Sequence, residues 1–74
     1  MTKVNFSEIK KGSRYIFEYN NVNKQNVIGN FESIHDRFII LSHSCTSKEK
    51  GKVDWCFGTK SYDIENMKRY IRVK

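Results

Sequence analysis

The residues best equipped for covalent or metal chemistry lie in the second half of the chain: His43, Cys45, Asp54 and Cys56. A thiol beside an imidazole is the raw material of a nucleophile–base pair, and Asp54 adds a carboxylate. With His35 as a distant fourth ligand, His43, Cys45 and Cys56 would make a metal centre if they converged. Structural zinc sites, however, usually carry two cysteines separated by two to four residues. The order His35, His43, Cys45, Cys56 has no such knuckle. A cysteine hydrolase also needs a cleft that a core of this size can hardly form. The glycines at 12, 29, 51 and 58 are scattered, so no glycine-rich loop cradles a phosphate. The expectation is no catalytic residue, no metal and no cofactor, with reduced thiols packing as small apolar groups.

Charge is the stronger signal. Lys48, Lys50 and Lys52 cluster in the middle of the chain, and Lys60 follows. Lys68, Arg69, Arg72 and Lys74 cluster at its end, and Lys10, Lys11 and Arg14 near its start. Cations that neutralise phosphates release counterions and gain affinity without reading sequence. Tyr62 and Tyr70 stand among these charges and are the expected stacking platforms for single-stranded bases. Trp55 shares a strand face with Val53 and Phe57, which places it in the expected core.

The whole chain has 74 residues and a formal net charge of +6. A domain of this size hides only roughly 60% of its unfolded surface, so the core is thin. An apolar fraction of 38%, 14% of the chain being aromatic, is too high for a disordered chain and too low for a membrane protein. No window approaches the roughly 18 apolar residues that cross a bilayer. The N-terminus lacks the apolar run of a secretory signal. These features predict one domain over 1–74, cytoplasmic, with no membrane partner. Two cysteines are too few for a secreted disulfide scaffold. The chain has no Ala and no Pro and is rich in Lys, Asn and Ile. That is a codon-level hint of an AT-rich genome, as in a phage or virus accessory protein.

Strand signals position these residues. Phe6–Gly12 reads as a short helical turn capped by Ser7 and ended by Gly12. Arg14–Tyr19 alternates, with Tyr15, Phe17 and Tyr19 on one face. A polar turn over Asn20–Asn26 leads to a second strand, Val27–Ile34, in which Gly29 predicts a bulge or bend. His35-Asp36 makes a tight turn into Arg37–His43. Lys50-Gly51 then predicts a two-residue hairpin turn into Lys52–Phe57. That register sets Glu49 opposite Lys52, Ser47 opposite Asp54 and Cys45 opposite Cys56. The two cysteines would form a hydrogen-bonded pair with Cα atoms about 5.5 Å apart, close enough for a bridge. Asp63–Met67 reads as a helical turn capped by Asp63, and Tyr70–Val73 as a last strand.

Five short antiparallel strands close most easily as a small barrel. The fold class expected is mainly β, and the order resembles the SH3-like barrels, Sm-like variant. The resemblance rests on Ile9-Lys10-Lys11-Gly12 before the first strand, Gly29 in a bent second strand, and the turn Asp63–Met67 before the last. Asp36-Arg37-Phe38-Ile39 and Phe57-Gly58-Thr59-Lys60 depart from the Sm loop motifs. The alternative is α+β: Ile64, Met67, Lys68 and Ile71 also fit the spacing of a C-terminal helix.

Two functions follow. One is a nucleic-acid-binding domain favouring RNA or single-stranded DNA, with Lys48, Lys50, Lys52, Lys60, Lys68, Arg69 and Arg72 on phosphates. The other is an interaction module for an acidic host or defence protein, self-association being one version.

Overall fold

Arg14–Tyr19 alternates in the structure as in the sequence, burying Tyr15 and Phe17 and leaving Arg14, Ile16 and Glu18 half-buried on the other face. Around this strand the computed structural model, which describes residues 2–20, 25–48 and 52–73, builds one antiparallel sheet. Its strands are β1 Thr2–Lys3, β2 Arg14–Tyr19, β3 Asn26–His35, β4 Phe38–Ser47, β5 Trp55–Asp63 and β6 Met67–Arg72. Their order across the sheet is β1-β6-β2-β3-β4-β5. β1 adds two residues to β6, and the other five strands carry the fold. The architecture is mainly β and compatible with a small barrel-like form. Among the described residues β1 and β5 are not paired, so one seam of the sheet stays open.

The core lies on the inner face, centred on Phe17, Val27, Ile39 and Leu41, each at most 1% exposed. Tyr15 packs 5.9 Å from Phe17, centroid to centroid, and 5.7 Å from Tyr70. The expected bend at Gly29 is present: the β3–β4 register shifts between Ile28 and Asn30. A Cβ at Gly29 would stand 2.7 Å from the Cβ of Leu41, so only glycine lets these strands approach. The tight turn after His35 is a two-residue connection in which Asp36 takes a left-handed φ of 54°.

Several boundaries differ from expectation. Phe6–Gly12 forms two successive turns instead of one helical turn. Asn5 supplies the cap: its Oδ1 accepts from Ser7 N at 3.2 Å and Ser7 Oγ at 2.7 Å. The second turn closes from Ser13 N to Lys10 O, with Gly12 at φ 85° as its left-handed residue. The fourth main strand lies further along the chain than 52–57: Gly58 and the residues after it are part of β5, pairing with β4 from Phe38 to Ser44.

The C-terminal helix does not form. Met67–Arg72 is a strand because β2 offers it an unpaired edge, and because alternation turns Tyr70 onto the rings of Tyr15 and Phe17. A register shift opposite Glu18/Tyr19 absorbs Lys68 and lets Met67 also face inward. The turn before β6 is a single 3-10 turn, Ile64–Asn66, capped as expected by Asp63, whose carboxylate accepts from Glu65 N. The Tyr19 hydroxyl accepts from Asp63 N at 3.3 Å, which ties this turn to β2. The Lys50-Gly51 turn and residues 21–24 lie outside the described residues, but the predicted hairpin register holds at Cys45↔Cys56.

Candidate nucleic-acid interface

One row of paired side chains crosses the inner face from β2 to β5: Phe17, Val27, Thr46 and Trp55. Their exposures are 0%, 1%, 6% and 66%. The face that is core at β2 is therefore open at β5, because β5 is the edge strand and nothing in the described chain covers its start. Trp55, expected in the core, is exposed for this reason. Phe57 follows on the same strand at 42% exposure, and Phe38 at the start of β4 is exposed at 43%. The expected core face of Val53, Trp55 and Phe57 is thus a solvent-facing aromatic edge.

Phe38 and Phe57 line a cleft of about 440 Å³ with Tyr19, Val27, Lys60 and Tyr62. Lys60 lies opposite Leu41, so its stem runs along the end of the core. Its Nζ sits 3.8 Å from the Phe57 ring centroid and 5.5 Å from that of Tyr62. Arg37 reaches over Phe38, with Cζ 5.8 Å from the centroid. The open rings of the cleft therefore each carry a cation. Arg37 also donates to Asp63 Oδ2 at 2.6 Å. The Asp63 carboxyl is held below its ordinary range, first by the Glu65 backbone N–H and then by Arg37. Near the start of β5, Asp54 Oδ2 accepts from Lys48 N at 2.9 Å and Gln25 Nε2 at 3.3 Å, which fixes the approach of the two chain segments.

The sequence-predicted residues separate into two groups. Lys48, Lys52 and Lys60 lie along the β4–β5 edge and are exposed, and Lys50 is outside the described residues. Lys68, Arg69 and Arg72 are on β6, at the other side of the sheet order. Arg69 pairs with Glu18 at 3.6 Å, and Arg72 donates to Ser13 Oγ at 3.1 Å. The two tyrosines pack in or against the core. Tyr62 is buried at 6% exposure, packed edge-on against Tyr19, and desolvation raises its phenol pKa. Tyr70 is half-buried, with its ring on Tyr15 and Phe17 and its hydroxyl directed to Glu8. Tyr62 is thus a core ring, and Tyr70 packs against the core while remaining partly exposed. Phe57, Phe38 and Arg37 stand at this edge without having been singled out in the sequence, and Trp55, weighed there against stacking, was placed in the core. The interleaving of Trp55, Phe57 and Lys60 was a signal, but their exposure depends on which strand is the edge.

On the outer face a second row runs Ile71, Ile16, Ile28, Cys45 and Cys56. The cysteines, expected as reduced thiols, are joined in a disulfide with Cα atoms 4.0 Å apart. This is closer than the hydrogen-bonded pair expected, and resembles the narrow non-hydrogen-bonded spacing of an antiparallel ladder. His43 stands at the adjoining irregularity in β4 with φ 48°, and His35 Nε2 lies 3.1 Å from Ser33 Oγ. Among the described residues no three His, Cys, Asp or Glu side chains gather as a metal site. No helix of the described chain is long and apolar enough to cross a membrane. No family model matches the chain, and no significant match is found among curated proteins or solved structures.

Proposed function

We propose that this chain binds single-stranded nucleic acid, RNA or single-stranded DNA, along the open aromatic edge of β5. The observation that carries this reading is Lys60 Nζ 3.8 Å from the centre of an exposed Phe57 ring, in a cleft whose other open ring, Phe38, is covered by Arg37. Aromatic faces interleaved with cations are the chemistry that stacks bases and neutralises the phosphates between them. Trp55 and Phe57 take bases. Lys60, Lys52, Lys48 and Arg37 take phosphates. A stacked base displaces the Lys60 ammonium from Phe57, and the long side chain then reaches the backbone. The sheet supports an SH3-like barrel of the Sm-like variant: a four-strand meander β2–β5, a 3-10 turn, and a last strand returning beside β2. Fluorescence anisotropy with labelled single-stranded RNA, single-stranded DNA and duplex DNA tests the reading. Binding of the single strands ahead of the duplex supports it.

A second reading has its own observation. Among the described residues β5 pairs with β4 alone, so its other side offers backbone groups with no strand beside them near Trp55. An extended acidic segment of a partner protein would add there as a strand. Competition between such a peptide and RNA separates the two readings.

A further inference from the structure

We propose that Cys56 is a thiol-exchange site for small anionic thiols, a disulfide opened from the outer face of β5 beside Arg14. The two sulfurs of the bridge are unequal. Cys45 is 8% exposed, whereas Cys56 lies on the exposed edge strand. Both line an outer recess of about 380 Å³ together with Arg14, Asn30, His43 and Gly58. Arg14 is held at this recess, its Nη1 donating to His43 O at 3.0 Å and to Asn30 Oδ1 at 3.2 Å. Among the described residues no carboxylate pairs with it. A fixed guanidinium beside an accessible disulfide favours a nucleophile that carries negative charge.

The step balances without a further reagent. A small thiolate attacks the Cys56 sulfur, a mixed disulfide forms at Cys56, and Cys45 leaves as the thiolate. A second small thiolate then attacks the mixed disulfide. It leaves Cys56 as a thiolate and the small thiol as its own disulfide, so the bridge gains two electrons and the thiols lose two. Access decides which protein sulfur is attacked, and Cys56 is the exposed cysteine of the two while Cys45 is buried. Reduction removes the covalent tie between β4 and the start of β5. The register there is already broken between Leu41 and Ser44 and again between Ser44 and Cys45. The Ser44 hydroxyl, donating to Gly58 O at 2.7 Å, remains as a side-chain tie.

The experiment uses the full oxidised chain with no nucleic acid, so its outcome is independent of the binding reading. Exchange is followed with glutathione, which carries net negative charge, and with neutral 2-mercaptoethanol, and the acid-trapped mixed disulfide is mapped by mass spectrometry. The expected adduct is on Cys56. Arg14→Gln slows the glutathione reaction about threefold or more while leaving the 2-mercaptoethanol rate within about twofold, and Arg14→Lys restores the glutathione rate. An adduct mapped to Cys45 would overturn the proposal. So would an equal change of both rates in Arg14→Gln, or two free thiols in the air-oxidised protein.

Discussion

Lys60 holds its ammonium against the exposed Phe57 ring on β5, the edge strand whose first residues open the inner face to solvent. The pairing makes an electrostatic statement about an exposed ring: a cation gains there because the ring face is negative and partly dehydrated. The same face stacks on any base. Phe57→Ala and Trp55→Ala should each weaken binding of a single-stranded RNA by about 1–3 kcal/mol, a factor of roughly 5 to 150. Because Trp55 is 66% and Phe57 42% exposed, neither being part of the buried core, the melting temperatures of the variants should stay near that of the parent. Anisotropy and thermal melting on the same samples check both halves.

Lys60→Gln should act differently. It leaves one phosphate without its cation, so affinity falls for every sequence alike. The salt slope flattens by about one unit for each phosphate no longer neutralised, less for single strands. Titrations at several salt concentrations measure the slope.

Tyr62→Phe should leave RNA affinity unchanged and thermal stability equal to or above the parent. Among the described residues the buried Tyr62 hydroxyl has no hydrogen-bond partner at full bonding distance: the neighbouring Ser44 hydroxyl, which tempers the rise of the phenol pKa, donates to the Gly58 carbonyl. Removing an unsatisfied buried hydroxyl relieves a desolvation cost and takes away no bond. Thermal melting against Phe57→Ala then separates a core ring from a binding ring.

Gly29→Ala should destabilise the fold by about 1–3 kcal/mol, since the new Cβ meets the backbone-anchored Cβ of Leu41 at 2.7 Å. For a domain of this length each kcal/mol lowers Tm by about 4–8 °C. Urea denaturation at constant m-value checks that the change is one of stability.

Asp63 sets a pH dependence. Its folded carboxyl is depressed by the Glu65 N–H and by Arg37, so it contributes stability above its ordinary value near 3.8, lost as pH falls through the folded value. Asp63→Ala should melt below the parent at pH 7, and the gap should narrow as the pH falls below about 4. A gap that stays constant from neutral to strongly acidic pH would contradict this.

Much of the fold was legible in local patterning. Tyr15, Phe17 and Tyr19 alternate against Arg14, Ile16 and Glu18, and the strand appears with those bounds. Gly29 announced its bend, and the hairpin register correctly opposed Cys45 to Cys56. The strand order was less legible, and the site depends on it. Trp55 and Phe57 carry an apolar pattern that reads as core on any central strand. Only their place at the sheet edge turns that face to solvent. Tyr62 and Tyr70 sit among charged residues in sequence, yet pairing with Ile39 and Phe17 turns them inward. Met67 and Ile71 match helical spacing in the sequence, but the register shift at Lys68 sets Met67 on the inner face with Tyr70 and leaves Ile71 exposed on the outer one.

The most direct test of the binding reading is the affinity of the oxidised chain for a labelled single-stranded RNA between about 50 and 300 mM salt. With four phosphate contacts, from Lys48, Lys52, Lys60 and Arg37, log K should fall against log salt with a slope near about −3. Duplex DNA of equal length should bind more weakly at each salt concentration. An affinity that barely changes across that range, or no binding at the lowest salt, would contradict the account and turn attention to an acidic protein strand at β5.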